Sequence, residues 1–223
     1  SSIGQIRGNI RAAIQQDLPD VAPSYFFIDI QKSQMPEFRQ IMEANKDVTS
    51  FDEAPMIRGI ISKINGISAK EFAGEHWVLS GDRGITYSTA PLERSKITEG
   101  VWWEPEYKGH AQISFADEEG KEMGLSLGDE LTVNIMGRDI NATITSFRDV
   151  DFSSAGIGFI MSMNPHALQS APHSFISTVY ANPKAEAELL RKVAGKFPNI
   201  TAVRIKEAIA QLSLIHISEP TRP

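Results

Sequence analysis

The chain contains no cysteine among its 223 residues, which excludes disulfides, thiolate metal sites and cysteine nucleophiles. A reducing cytosol permits this, and so does an oxidising compartment where stray thiols are a liability. No run of about 18 apolar residues occurs, so no stretch reads as a membrane-spanning helix. There is no basic excess either: 22 Lys and Arg face 28 Asp and Glu, a formal net charge of -6. That argues against a nucleic-acid partner, which calls for a basic surface. A signal peptide and an initiator Met are also missing, and the start at Ser1 leads us to expect a piece cut from a longer protein. What remains is 41% hydrophobic and 22% charged, the composition of a soluble globular chain with one large or two small domains.

Periodicity organises it. Ile3, Ile6, Ile10, Ile14 and Leu18 recur every three or four residues and predict an amphipathic helix stopped by Pro19 and Pro23. Tyr25 to Ile30 predicts a buried strand, Pro36 opens a short helix with Met35, Phe38, Ile41 and Met42 on one face, and Met56 to Ile64 returns as a strand. The pattern recurs late: strand Ser174 to Ala181, helix Lys184 to Lys196, strand Ile200 to Ile205, then the start of a last amphipathic helix carrying Ile205, Ala208, Ile209 and Leu212. Two β-α-β halves far apart in sequence bury their strands best in one sheet with both helices on one face. Between them, residues 75–172 are mostly β. Strands are expected at His76 to Ser80, Ile85 to Ser88, Leu131 to Ile135, Ile140 to Phe147 and Gly158 to Met163, with glycine turns such as Met136-Gly137-Arg138-Asp139, as in a small barrel or sandwich. The fold class read from this is α+β: a split α/β unit with an inserted β-rich unit. The last residues, Ser213 to Pro223 (SLIHISEPTRP), continue no pattern and look like translated sequencing-adapter DNA, so His216 is set aside.

Gly124-Leu-Ser-Leu-Gly128 fits G-x-S-x-G, the nucleophile elbow of α/β-hydrolases. An elbow needs a strand before the serine and a helix after it. Here the order is reversed: Phe115 to Met123 is helix-like, with Asp117, Glu118 and Glu119 suiting its N-terminus, and Gly124 stands where a left-handed helix stop belongs. Leu125 and Leu127 are expected to anchor the corner in the core while Asp129 bonds its own turn. Ser126 therefore reads as structural.

The native histidines, His76, His110, His166 and His173, form no H-x-x-x-H pair, so no metal site is expected. Asp149 and Asp151 read as a solvated loop. The sequons at Asn141 and Asn199 fall in predicted strands and are discounted, and Gly156-Ile-Gly158 lacks the following helix of a phosphate loop. No catalytic, cofactor or metal residue is assigned.

Val101-Trp102-Trp103-Glu104 is more unusual, because adjacent residues in a strand point to opposite faces and at most one indole enters the core. Packing between the two units is one reading, and contact with a partner or lipid the other. Trp77, Trp102 and Trp103 are the candidate contact residues.

Taken in order, Asp82 to Ser88 (DRGITYS), Glu99 to Trp103 (EGVWW), Gly124 to Asp129 (GLSLGD), Thr143 to Asp151 (TITSFRDVD), Gly158-Phe-Ile160 and Asn164-Pro165 resemble the large extracytoplasmic domain of ABC-transporter permeases of the FtsX/MacB superfamily, in particular the YbbP type. The likeness runs over about residues 20 to 212. It implies a periplasmic domain of a bacterial inner-membrane protein, lying between two membrane helices. Its parts would be a discontinuous porter-like unit (19–74 and 173–205), an inserted sabre-like unit (75–172), and stalk helices at 1–18 and 206–212. It further implies a cytosolic ABC ATPase as partner, with movement passed through the stalks, and a hydrophobic or lipid-like substrate or a periplasmic partner protein at the far end. The family has no catalytic residues here to transfer. None of a permease's membrane helices is in this sequence, so transport by these residues alone is not expected. Two other readings stand beside it: a free-standing secreted adaptor, and a hydrolase pairing Ser126 with His110 or His166.

Overall fold

The computed structural model describes residues 24–91, 95–150 and 158–205. The helices expected at 1–18 and 206–212, the tail from Ser213, and Asp151 and Gly156 lie outside the described residues.

In chain order the elements are β1 (Tyr25–Ile30), α1 (Met35–Ala44), β2 (Val48–Ile64), β3 (Ile67–Ser68), α2 (Ala69–Ala73), β4 (Arg83–Tyr87), β5 (Lys96–Gly100), β6 (Gln112–Ala116) and α3 (Asp117–Met123). There follow β7 (Glu130–Ile135), β8 (Arg138–Asp149), β9 (Met161–Met163), α4 (Pro165–Leu168), β10 (Ser174–Ala181), α5 (Glu186–Lys196) and β11 (Thr201–Arg204). The result is mixed α and β, with one large sheet and few helices.

The outer strands run β11-β1-β10-β2, every neighbour antiparallel. Because β1 and β2 both oppose β10, they run parallel to each other with α1 between them, and the same holds for β10 and β11 with α5. This interleaving of two β-α-β units is the strand order of the split, ferredoxin-like motif. Alternation on β1 sends Tyr25 and Phe27 to one face. There they meet Met35, Phe38 and Met42 of α1 and Leu189 and Val193 of α5 in one apolar cluster. Phe27 and Phe38 pack edge to face, 5.5 Å between centroids.

β2 is the element the sequence understated: it starts at Val48, well before Met56. The early half carries Asp52, Glu53 and Pro55, which read as loop, but it lies on the rim of the outer sheet, where a missing N–H and charged side chains are tolerated. Glu53 is tied to Arg39 of α1 at 2.8 Å, a bond that raises the guanidinium pKa. The late half, Ile57 to Ile64, carries the sheet on past the outer strands. Its partners close a ring, β2-β4-β9-β6-β8-β7 and back to β2, a six-stranded barrel with two parallel pairs, β4 with β9 and β6 with β8. Ring closure buries a single interior, filled by Ile57, Ile61, Ile85, Ile113, Phe115, Val133, Ile144 and Met163 among others. Gly59 marks where β2 crosses over: a Cβ there would stand 2.7 Å from Ile85 Cδ1 and 2.9 Å from Val133 Cγ1. A small third cluster of Ala54, Phe159 and Ile176 fills the seam.

Several local expectations need correction. His76 to Ser80 is not a strand but a short 3-10 turn over Trp77–Leu79, capped by His76 Nδ1 accepting from the Val78 N–H at 3.2 Å. Phe115 and Ala116 close β6, so the helix is only Asp117–Met123. The turn expected over four residues from Met136 is two residues long, because Ile135 already pairs with Arg138. Asn199 precedes β11 and donates to Asp29 O at 3.0 Å.

Candidate functional site

The Ser126 corner resolves as a helix stop. Gly124 has φ 76° and its N–H closes back on the Gly120 and Lys121 carbonyls, the left-handed end that a helix without a Cβ constraint adopts. Ser126 N–H donates to Asp129 Oδ2 at 2.8 Å and Asp129 N–H to Ser126 O at 3.1 Å, so the loop is bonded to itself. Leu125 is buried, whereas Leu127 is 39% exposed and does not enter the core. The helix precedes the serine. His110 is paired with Glu130 (Nε2 to Oε2, 2.5 Å), and among the described residues neither it nor His166 is hydrogen-bonded to Ser126.

The two neighbouring tryptophans lie beyond the end of β5, not within a strand. Their rings stack at 4.0 Å and 33°, and both indole N–H groups turn the same way: Trp102 donates to Thr89 O and Trp103 to Ser88 O, each at 2.9 Å. Together they pin the segment after β4. Trp103 is 5% exposed and belongs to the interior; Trp102 is half-buried; Val101 beside them is exposed. Trp77 is held elsewhere, packed on the barrel interior with the Arg83 guanidinium 5.2 Å over its ring.

Two buried charges stand out. Arg148 on β8 is fully buried and donates to Ser114 O at 2.5 Å and to Phe159 O, pinning the approach to β9 against β6. Burial pushes its pKa down to about 10, against the pull of Asp117 and Glu119. Glu119 on α3 is buried, its Oε1 without a hydrogen-bond partner among the described residues, and burial raises its pKa. Its neighbour Glu122 accepts from His76 Nε2 at 2.6 Å; with Nδ1 accepting from Val78, the proton sits on Nε2. Among the described residues no cluster of three potential metal ligands occurs.

The feature the sequence did not announce is a cleft at the seam. It has a volume of about 520 Å³ and is lined by the end of β1, the middle of β2, Asp82, the β7–β8 hairpin tip and the lead into β10. A second cavity of about 370 Å³ lies on the other side of the hairpin and shares Ile135 and Pro172 with the first. Two non-glycine residues in the cleft have left-handed backbones, Asp29 at φ 67° and Met136 at φ 52°. Asp29 sits in a bulge of β1, where the register with β10 slips between Phe27 and Ile30; bulges of this kind re-aim a side chain. Met136 is 78% exposed and Ile60, beside the hairpin, 42%. The lining residues are scattered from Ile28 to Ser174, so no local motif reveals them. The one local signal is Met-Gly where a two-residue hairpin wants Asn-Gly.

Finally, the first and last described strands lie side by side. Tyr25 pairs with Arg204 across β1 and β11, and Ile205 N–H donates to Ser24 O at 3.1 Å.

The architecture defines a mixed α/β module with one large sheet and few helices. The chain is 25% identical over 210 residues to the uncharacterized ABC transporter permease YbbP of Escherichia coli K12, a match covering 93% of this chain and 25% of that protein. It thus spans about a quarter of the length of the curated relative it matches. No family model matches. Among solved structures, a domain of a Porphyromonas gingivalis protein described as a permease aligns over 78% of this chain and 83% of its own, at 12% identity and a TM-score of 0.41. That likeness is too slight to define a common fold. No helix among the described residues is long and apolar enough to cross a membrane.

Proposed function

We propose that the chain is the periplasmic domain of an ABC transporter permease, a non-catalytic coupler that passes movement driven by a cytosolic ATPase to a hydrophobic substrate or a partner outside the membrane. The observation that carries this reading is the hydrogen bond between Ser24 and Ile205: a module strung between two membrane-anchored stalks must admit and release its chain at one place. The similarity to YbbP supports the same assignment. In this reading 19–74 and 173–205 form the porter-like unit next to the stalks at 1–18 and 206–212, and 75–172 form the sabre-like unit. β2 crosses the boundary as one uninterrupted strand, so a push on the sheet reaches the barrel through the backbone. The Trp102–Trp103 clamp holds the segment that follows β4.

The absence of cysteine makes the test direct. In the full-length permease, with any cysteine elsewhere replaced, Val101→Cys is exposed enough to react with a membrane-impermeant maleimide. Labelling in intact spheroplasts is expected. Labelling only after lysis places the domain in the cytosol and ends the proposal. Esterase activity lost in Ser126→Ala would instead restore the hydrolase reading.

A further inference from the structure

We infer that the seam cleft is a docking site for an extended segment of a partner protein, one that alternates apolar and basic side chains. Three observations on separate elements converge there. First, the cleft presents three charged side chains, Asp29, Arg58 and Asp82, none with a side-chain hydrogen bond or ion pair among the described residues. Elsewhere Glu53, Glu122, Glu130 and Asp47 all have cationic or histidine partners. Second, the apolar surface between those charges is supplied by Met56, Ile60 and Met136, of which Met136 and Ile60 are large apolar groups left in solvent. Third, the chain closes another two-residue hairpin with Asn65-Gly66, φ 51° and 84°, and closes this one with Met136-Gly137, φ 52° and 85°. The φ angles of the two turns agree to within a degree. The residue suited to these angles is used at one, and a long adaptable thioether at the other, facing the cleft. Methionine is the side chain that moulds itself to varied partners.

The chemistry of the lining selects the occupant. A bare acyl chain would leave two carboxylates and a guanidinium facing hydrocarbon, which is costly. An extended polypeptide places successive side chains on opposite sides, about 3.3 Å apart, and brings its own N–H and C=O groups. Its apolar residues meet Met56, Ile60 and Met136. Its basic residues meet Asp29 and Asp82, and its carbonyls meet Arg58. The second cavity, continuing past Ile135 and Pro172, extends the track around the hairpin. This inference does not depend on which side of the membrane the domain occupies.

The test uses the whole 223-residue chain and fluorescent peptides of about eight residues. One peptide alternates Leu and Lys, its counterpart alternates Leu and Glu, and a fluorescent fatty acid serves as the acyl probe. Anisotropy is expected to show binding of the Leu-Lys peptide that weakens about tenfold with Met136→Gly, and about tenfold with Asp29→Asn and Asp82→Asn together, a difference equivalent to about 1.4 kcal/mol. Circular dichroism must show these variants folded; if the Asp29 change unfolds the chain, Asp82→Asn alone serves. Equal binding of the Leu-Glu peptide, binding of the fatty acid in its place, indifference to all the substitutions, or self-association through the cleft in ultracentrifugation would each overturn the inference.

Discussion

Met136→Asn asks whether the hairpin tip holds an unfavourable backbone for the sake of its side chain. Met136 lies at φ 52°, a region that costs a side chain with a Cβ roughly 1–2 kcal/mol and that Asn tolerates best. Against this relief stands the little that Met136 buries. At 78% exposure, about a fifth of the ~2 kcal/mol available from a fully buried side chain is at stake, or ~0.4 kcal/mol. The balance favours Asn by roughly 0.5–1 kcal/mol. With a urea slope of ~2 kcal/mol/M, the midpoint should rise by about 0.3–0.5 M. The reciprocal change, Asn65→Met, imposes the same backbone cost and also removes the bonds from Asn65 Nδ2 to Asp129 and from Glu130 N–H to Asn65 Oδ1. It should cost ~2 kcal/mol or more. A Met136→Asn protein less stable than the parent in urea would refute the reasoning, because it would show that the thioether is held by packing.

Gly100 and Gly124 offer a matched pair, with φ +82° and +76°. At Gly124 nothing lies within 4 Å of an added Cβ, so Gly124→Ala should cost only the backbone penalty of about 1 kcal/mol. At Gly100 a Cβ would strike the Thr145 carbonyl and the Ser146 Cα, and Gly100→Ala should cost roughly 3 kcal/mol or more in the same urea titration. Equal losses would sink the steric argument. Glu119 supplies a pH test. Burial raises its pKa in the fold, so the folded chain holds its proton where the unfolded chain has released it, and stability falls as pH rises through the interval between the two values. Glu119→Gln should flatten that slope and gain stability at neutral pH, and an unchanged slope in urea melts across that interval would count against it.

How far the residues alone led depended on the kind of signal. Strands dense in β-forming residues, such as Tyr25 to Ile30 and Ser174 to Ala181, and helices with a three-to-four stripe around Phe38 or Leu189, declared themselves. The first half of β2 did not, because an edge strand with charges and a proline carries no alternation. The tryptophans misled for a related reason: aromatic residues suit strands, but here their indole N–H groups are spent on two backbone carbonyls outside any ladder. Ser126 was legible because the helix stop at Gly124 is local chemistry. The seam cleft was not legible, since it exists only where five distant segments meet.

The closeness of Ser24 and Ile205 makes the described chain almost a closed loop. Joined there by a short turn, the chain could be opened instead at an exposed hairpin such as Asn65-Gly66 with its other strand pairs kept. The order in which the elements follow one another along the chain is therefore not what holds them together, and a circularly permuted version should keep the same strand pairing.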